Sequence, residues 1–413
     1  MKRAFAIFLI MAVTTVSLAG NLSNTQDTLR RSRVSHLSAK RLERFILPAP
    51  FIATGIAIYG KPGERFQQLR NNYFTNFSNH ADEFLRFSPT VLLYSLKIAG
   101  VQSRSSWERL ILTNAISGVL MVGSVQGLKM IIKEPRPDGS ESNGFPSGHS
   151  ALAFMSATMV HHEYGLTESP WYSIAAYSLA SATAALRVLN NSHYMQDVIM
   201  GAGMGILSTE LGYMISELIY SNRGILRESR ESSEHRVPVR GYSFMGASLE
   251  YVKILNNPVI DGNIYRASWG TGATLESIFH NPNREPSLSD IGIHISANAN
   301  TALIKRVDNS GSSIPMNWLT LAAGPALSVK VGNIMRVGIT AEAGYSRIIL
   351  NNNLPNERSS SGLYAGGSFY IERELVDRIV LRLFSRCRNS VHSKPTPDIS
   401  SISFGGTMSV SIY

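Results

Sequence analysis

The sequence predicts a chain of two domains, in which a bundle of six helices precedes an eight-stranded antiparallel up-and-down β-barrel. Its 413 residues exceed what one ordinary domain needs. Apolar residues recur with a helical period up to residue 221 and alternate with a period of two beyond residue 241. Residues 222–240, which are rich in charge and contain almost no apolar periodicity, separate the two patterns and predict a linker.

The composition excludes several classes of protein. Charged residues make up 16% of the chain, hydrophobic residues make up 44%, and the mean hydropathy is zero. These values exclude a disordered chain and equally a chain embedded in lipid throughout. The single cysteine, Cys387, excludes a disulfide scaffold and a cysteine-rich metal site. The net charge of +10 is spread along the chain, which fits an anionic lipid surface or a phosphate substrate at least as well as nucleic acid. We expect a membrane lipid as partner and no nucleic acid.

Residues 1–20 predict a cleavable secretory signal. A basic pair opens them, an apolar run follows over residues 4–13, and small residues stand at 19–20. A first transmembrane helix is the alternative. Asn21 occupies the place where a lipoprotein needs cysteine, so we expect no lipid anchor. An N-terminal segment, residues 21–44, then leads to the first predicted helix.

Residues 45–221 predict the helical domain. Six apolar stretches, separated by proline, glycine and charged residues, lie near residues 45–60, 86–101, 107–133, 148–165, 171–189 and 197–220. Two uncharged runs approach the roughly 20 residues that span a bilayer. Threonine, asparagine, serine and glutamine dilute the apolar stretches, so helices that span a membrane and helices buried in a bundle are both compatible with the pattern.

Residues 241–413 predict the barrel. Alternating segments lie near residues 241–254, 262–280, 290–303, 318–331, 334–346, 362–373, 377–388 and 399–413. Short turns at 332–333 and 375–376 alternate with long polar connections, as in outer-membrane barrels.

The alternation also predicts which face of the barrel is polar. We expect a polar lumen lined by Arg336, Glu342, Arg378, Arg382 and Arg386, and an aliphatic face in contact with lipid. A soluble, lipocalin-like barrel with an apolar interior is the alternative.

Two segments of the helical domain carry side chains suited to binding phosphate. Lys129 and Arg136 end an apolar helix; lysine offers a point charge and arginine a planar fork that can grip two phosphate oxygens. Ser147, Gly148 and His149 follow Pro146 and open the next helix. There, backbone N–H groups and the Ser147 hydroxyl can face an anion, and His149 is a titratable proton source.

A third segment contains Arg187, His193 and Asp197. If the segment is helical, His193 and Asp197 share a face, so the carboxylate can hold the Nδ1 hydrogen and leave Nε2 free to attack. The three segments together supply a nucleophile, its orienter, a general acid and a cluster of cations. Each residue alone has an ordinary structural interpretation, such as Asp197 capping a helix that begins at Val198, but their joint order and spacing argue against it.

This arrangement resembles the type 2 phosphatidic acid phosphatase and vanadium haloperoxidase superfamily. The family pattern is Lys, six residues, Arg-Pro; then Pro-Ser-Gly-His; then Ser-Arg, five residues, His, three residues, Asp. The sequence matches it in order and spacing over a region of about residues 45–221, with one departure: Leu186 stands where the family usually has serine.

The resemblance implies a site and a mechanism. His193 attacks phosphorus to form a phosphohistidine, Asp197 fixes the tautomer of His193, His149 protonates the leaving oxygen, and water then releases phosphate. The groups implied to hold the three equatorial oxygens are Lys129, Arg136, Arg187, Ser147 and the Gly148 N–H. Because these cations do what Mg²⁺ does in kinases, the resemblance implies no metal and no other cofactor.

The resemblance further implies a phosphatase acting on a phosphorylated lipid of the bacterial envelope. The fused barrel favours lipid A phosphate; undecaprenyl diphosphate, phosphatidylglycerol phosphate and phosphatidate are the alternatives. Vanadate-dependent halide oxidation and a non-catalytic outer-membrane barrel are the other classes of function. We expect the barrel, inserted by the barrel-assembly machinery, to anchor the chain in the outer membrane with the phosphatase domain on the periplasmic side. An inner-membrane bundle that carries a periplasmic β domain is the alternative.

Overall fold

The computed structural model describes residues 44–73, 77–227, 243–280, 289–308, 313–331, 335–350, 358–376, 379–393 and 396–412. The chain divides into two compact units, residues 1–67 with 76–235 and residues 68–75 with 236–413. The predicted signal lies outside the described residues, as do nearly all of segment 21–44 and most of the predicted linker.

The helices of the described chain begin at each of the six predicted apolar stretches and include two that the pattern did not predict. They are α1 (Pro48–Ala57), α2 (Lys61–Tyr73), α3 (Ala81–Leu85), α4 (Ser88–Ile98), α5 (Trp107–Ile132), α6 (Gly148–Val160), α7 (Pro170–Leu189) and α8 (Met195–Tyr220), with a π-helical turn, His161–Gly165, directly after α6. The prediction of six helices was therefore too low. Helix α2 is polar and α3 has only five residues, so neither produces an apolar stretch.

Helix α8 forms the centre of the helical unit. It packs against α6, α5 and α1, and most of its residues are buried. Two glycines permit the close crossing with α6: a Cβ at Gly201 would lie 2.4 Å from the Ser147 carbonyl oxygen, and one at Gly205 would lie 2.2 Å from that of Ala151. This crossing places the start of α8 directly beside the start of α6.

Helices α5 and α8 are both long and apolar enough to span a membrane, but their surroundings differ. The apolar window of α8 is 72% buried within the protein, so the bundle core accounts for its composition. The corresponding window of α5 is only 17% buried, and Val119, Met130 and Ile131 are among its exposed side chains. Helix α5 therefore presents an apolar surface that the described residues leave uncovered.

The strands of the second unit are all paired antiparallel. They are β1 (Ser243–Ile254), β2 (Val259–Ile260), β3 (Asn263–Ala267), β4 (Trp269–His280), β5 (Ser289–Arg306), β6 (Ile314–Val331), β7 (Met335–Leu350), β8 (Arg358–Val376), β9 (Ile379–His392) and β10 (Ile399–Ile412). The eight long strands pair in chain order, and β10 pairs back with β1, so these strands form a ring. The strand predicted over 262–280 is instead divided at Ser268, because β3 forms a hairpin with β2 and pairs with only the last residues of β5.

The two faces of the ring are polar inside and apolar outside, as predicted. Glu342, Arg382 and Arg386 are buried, Arg336 is mostly buried, and Arg378 lies outside the described residues. Large apolar side chains on the opposite face are exposed: Leu275, Ile291, Ile293, Ile295, Leu319, Leu321, Leu327, Val329, Ile339, Leu363, Phe369, Ile371 and Val391. This is the reverse of a lipocalin-like barrel.

Ion pairs connect the interior side chains of the ring. Arg386 donates to Glu276 at 2.6 Å and lies within 4.0 Å of Glu250 and Glu342. Arg388 donates to both oxygens of Glu250, at 2.9 and 3.1 Å. Toward the end of the ring where β1 stops, an apolar cluster replaces the charges; it includes Val252, Ile254, Ile304, Met316, Trp318, Ile348, Leu350 and Ile399.

Candidate active site

The predicted site residues lie on adjoining parts of the helical unit. Lys129 is in the last turn of α5, Ser147 caps α6, Arg187 is in the last turn of α7, and His193 precedes α8. The Ser147 N–H donates to the Asp197 carbonyl at 2.9 Å, and the His193 N–H donates to the Arg187 carbonyl at 3.3 Å. The first of these hydrogen bonds joins the second and third sequence segments, and the second holds His193 against the end of α7.

Asp197 orients His193 while it caps α8. The helix begins at Met195, so His193 lies just before it and not on it, and the suggested start at Val198 was three residues late. The Oδ2 atom of Asp197 accepts the Tyr194 N–H at 2.9 Å and lies 3.3 Å from His193 Nδ1. Both side chains are buried. Asp197 thus caps α8 and contacts His193 with the same oxygen, whereas the sequence offers these two functions as alternatives.

His193 is held neutral by its surroundings. Burial lowers the pKa of His193 well below its ordinary value, and the positive charges of Arg187, Lys129, Arg136 and His149 lower it further. Three cationic side chains and one histidine therefore act electrostatically on one imidazole. A neutral His193 with Nδ1–H directed at Asp197 has its Nε2 lone pair available for attack.

The cations around His193 retain donors that other groups do not use. Arg187 is 95% buried, and its Nε has no hydrogen-bond partner among the described residues. Arg136 pairs with Glu141 at 3.0 Å, and its Nε is likewise buried without a described partner. Lys129 donates to the Asn143 carbonyl. Burial lowers the pKa of Lys129, and the charge of Arg136 lowers it further.

The start of α6 adds backbone donors. Ser147, fully buried, caps the helix, and its Oγ accepts the Ser150 N–H at 3.5 Å. The N–H groups of the first helical turn have no partner within the helix, and the helix dipole favours an anion there. A Cβ at Gly148 would contact only Val125, at 3.9 Å, so the backbone there is open to approach. Leu186, half-buried in α7 beside Arg187, supplies no hydroxyl in place of the usual serine.

Three charged residues of the site have no counterpart in the sequence prediction. Asp82 and Glu83 lie on α3, and Arg86 caps its end. Asp82 accepts from Arg187 at 2.6 Å, whereas Glu83 and Arg86 both contact His149. A five-residue helix has no apolar period, so only the run of charge over residues 82–86 could have drawn attention to it.

Glu134 is a further acid that the prediction left without a role, although it lies within the first motif. Gln196 donates to its Oε1 at 3.1 Å, and its carboxyl group interacts with that of Asp197. Burial, together with the negative charge of Asp197, raises the pKa of Glu134 to about 7. Glu134 Oε2 and Asp197 Oδ1 are both buried without a donor, and a proton on Glu134 would satisfy both.

Asp82, Glu83 and His149 bring three potential metal ligands within 4.8 Å of one another. Arg187 and Arg86 already donate to this cluster. The two carboxylates are therefore already paired, and two guanidinium groups at contact distance oppose the binding of a further cation.

Comparisons with known proteins find similarity for each of the two units. Residues 108–218 match the model of the PAP2 superfamily. These residues form a PAP2 superfamily domain. The PAP2 domain is similar to that of the lipid A 1-phosphatase of Porphyromonas gingivalis, which is 38% identical over 172 residues. The match covers 41% of this chain and only 38% of the relative, so the chain spans about two fifths of that protein's length.

Solved structures resemble each half of the chain. Aquifex aeolicus LpxE is 21% identical with a TM-score of 0.29, and the match covers 36% of this chain and 93% of that one. The PAP2 type phosphatidylglycerolphosphate phosphatase of Bacillus subtilis is 20% identical with a TM-score of 0.29, covering 45% and 99%. Neisserial surface protein A is 8% identical with a TM-score of 0.31, covering 41% and 96%.

Proposed function

We propose that this protein is an envelope lipid phosphatase that hydrolyses a phosphate monoester or diphosphate without a metal, through a phosphohistidine. The observation that carries the proposal is the buried His193–Asp197 pair, surrounded by the charges of Lys129, Arg136 and Arg187. A neutral, oriented imidazole among cations is suited to nucleophilic attack on a phosphate anion.

In the first half-reaction, His193 Nε2 attacks phosphorus. The bond from phosphorus to the leaving oxygen breaks, its electron pair stays on that oxygen, and His149 supplies the proton. The unpartnered Nε atoms of Arg187 and Arg136, with Lys129 and the start of α6, would stabilise the charge on the equatorial oxygens.

In the second half-reaction, water attacks the phosphohistidine. His149, now neutral, takes a proton from the water as its oxygen bonds to phosphorus. The phosphorus–nitrogen bond breaks, its electron pair returns to His193 Nε2, and phosphate leaves. Both histidines are then in their starting states, His149 protonated and His193 neutral, and no metal takes part.

A lipid is the substrate class that the surface of α5 favours. Met130 and Ile131 are 68% and 79% exposed, directly beside Lys129 in sequence. An amphiphile can therefore place its phosphate on the cations while its tails remain against an apolar surface. The similarity to a lipid A 1-phosphatase supports lipid A phosphate, with undecaprenyl diphosphate, phosphatidylglycerol phosphate and phosphatidate as the alternatives.

We further propose that the ring of strands is an outer-membrane barrel that serves as an anchor. Its outward face is apolar and its interior is filled by ion pairs and an apolar cluster, which supports an anchor and not a pore. The chain enters β1 at the end of the ring where the short connections 332–334 and 377–378 lie. Short connections are periplasmic in such barrels, so the PAP2 domain is assigned to the periplasmic side.

The test is phosphate release by the full chain purified in detergent. Lipid A, undecaprenyl diphosphate, phosphatidylglycerol phosphate and phosphatidate are compared for wild type, His193→Ala and the control His80→Ala, which alters an exposed histidine of the same unit. We expect wild type and the control to cleave at least one lipid, and the rate of phosphate release to fall about 10³-fold or more in the His193 variant. Acid-labile phosphate on quenched wild-type protein would identify the phosphohistidine.

Vanadate provides an independent check, because it should inhibit a phosphatase. Unchanged release in His193→Ala would overturn the mechanism. Release from none of the four lipids would overturn the lipid phosphatase and favour the non-catalytic barrel.

A further inference from the structure

One ring nitrogen of His149 faces two groups of opposite charge. Arg86 Nη1 lies 2.9 Å from His149 Nε2, and Glu83 Oε2 lies 3.2 Å from the same atom. Arg86 and Glu83 also contact one another at 3.4 Å. The three side chains therefore form a compact triad at the edge of the phosphate site.

The two partners require different protonation states of His149. A guanidinium group can only donate, so Arg86 binds Nε2 when that atom carries a lone pair. A carboxylate can only accept, so Glu83 binds Nε2 when that atom carries hydrogen. One nitrogen cannot satisfy both at once, and the proton on Nε2 selects the partner.

Glu83 is held in place by its neighbour on α3. Asp82, which is 2% exposed, accepts from Arg187 at 2.6 Å and from Asn190 Nδ2 at 2.8 Å. Asn190 also bonds the backbone at Asn79, which fixes the approach to α3. Although Glu83 itself is 45% exposed on its side chain, the helix that carries it is anchored to the end of α7.

We propose that Glu83 is a positioning residue for His149: it accepts the Nε2 hydrogen, which leaves Nδ1 to pass a proton to the leaving oxygen, while Arg86 competes for the same nitrogen. This inference rests on the proposed phosphatase function. When Glu83 holds Nε2–H, the imidazolium loses its Nδ1 proton to the leaving oxygen, and Nδ1 then takes a proton from the attacking water. When Arg86 holds Nε2, the hydrogen of the neutral ring is on Nδ1, and that ring is a poorer acid.

The charges around His149 agree with opposed roles. Burial lowers the pKa of His149, the charges of Arg187 and Arg86 lower it further, and the hydrogen bond and charge of Glu83 raise it. Asp82, whose carboxylate lies within 4.8 Å of a ring nitrogen of His149, and His193 are further titratable groups close to His149. Removing Glu83 should therefore lower the pKa of His149, and removing Arg86 should raise it.

The first experiment is the pH profile of kcat for Glu83→Gln and Arg86→Gln, with lipid A as the probe. The alkaline limb reports loss of the proton from His149. We expect it to move about 1 pH unit lower in Glu83→Gln and to move higher in Arg86→Gln, because a close charge shifts a partly exposed group by about that much. Glu108→Gln, an exposed glutamate at the start of α5, should leave the limb in place.

The second experiment varies the leaving group in the near-isosteric Glu83→Gln variant. p-Nitrophenyl phosphate releases a stable phenolate without a proton, whereas a lipid phosphate requires one. We expect kcat to fall roughly tenfold for lipid A above neutral pH, with KM little changed, and to fall far less for p-nitrophenyl phosphate.

The two hypotheses fail in different ways. If wild type releases phosphate from neither probe and from none of the three other lipids, the phosphatase function itself is wrong. If wild type is active but both limbs move in the same direction or stay fixed, or both probes lose rate equally, then Glu83 has a structural role only and the inference is overturned.

Discussion

Replacing Gly201 with alanine tests whether the crossing of α6 and α8 positions the site. The new Cβ would lie 2.4 Å from the Ser147 carbonyl oxygen, whereas Cβ atoms essentially never approach closer than 3.0 Å. One helix must therefore move by about 0.6 Å or more, and no flexible side chain can absorb the shift. Overpacking of this kind costs about 1–3 kcal/mol. The better helix propensity of alanine offsets about 1 kcal/mol, which leaves a net loss of up to about 2 kcal/mol.

The effect on turnover should exceed the effect on stability. Ser147 starts α6 and its N–H bonds the Asp197 carbonyl, so the shift separates the two sides of the site. A misplacement of about 1 Å can cost about 100-fold in rate, and we expect a tenfold to hundredfold loss in Gly201→Ala. Gly205→Ala creates a similar clash one turn away, 2.2 Å from the Ala151 carbonyl, and should lose stability with less loss of rate.

The assay combines thermal unfolding, followed by helical circular dichroism in detergent, with phosphate release. Gly127→Ala is the matched control, because nothing lies within 4 Å of a Cβ at that position on α5. It should be neutral or stabilise by up to about 1 kcal/mol. Unchanged unfolding and turnover in Gly201→Ala, or an equal loss in Gly127→Ala, would refute the close-packing argument.

Three further predictions concern single charges. Because folding raises the pKa of Glu134 from 4.5 to about 7, its contribution to stability is complete below pH 4.5 and is lost as the pH rises through 7. Glu134→Gln should therefore flatten the decline of the melting temperature between pH 5 and 8. An unchanged slope would contradict this prediction. Arg386→Met removes the buried cation that pairs with Glu276 and lies within 4.0 Å of Glu250 and Glu342, and it should cost about 3–5 kcal/mol of stability. The loss should be seen as loss of the compact band in unheated electrophoresis, whereas Arg347→Met on the exposed face should keep that band. Leu321→Arg, in the middle of the exposed apolar face of β6, should make the free energy of membrane insertion less favourable by about 2–4 kcal/mol. Val331→Arg, at the end of the same strand, should do so by about 1 kcal/mol or less. Equal effects of the two substitutions would argue against a membrane-spanning ring.

The sequence predicted the parts of the molecule that repeat or that follow a motif. Alternating residues located the long strands and their polar interior because the side-chain period of a strand is fixed by its backbone. Motif spacing likewise predicts a site at His193, Asp197 and the cations, and their catalytic roles stay a prediction. For Asp197 the sequence offers orienting His193 and capping α8 as alternatives, whereas one carboxylate oxygen makes both contacts.

Other parts of the site depend on tertiary contacts, and the sequence does not predict them because such contacts leave no periodic pattern. Asp82, Glu83 and Arg86 reach the site from a five-residue helix about 100 residues before Arg187, and no local pattern reports so distant a pairing. Ser268 divides one predicted strand because β3 finds a separate partner in β2. Glu134 belongs to a recognised motif, but its role depends on Asp197, which only the fold brings near it.

The pairing of β10 with β1 determines the order in which the chain can be assembled. Ser243 pairs with Ile412, so the ring of strands cannot close until β10 has been synthesised and exported. Every long strand before that moment carries an unpaired edge or an uncovered apolar face, both of which invite aggregation in water. The PAP2 match, residues 108–218, lies ahead of β1 in the chain. Loss of β10 should therefore leave the helical domain attached to an unclosed sheet that is prone to aggregate.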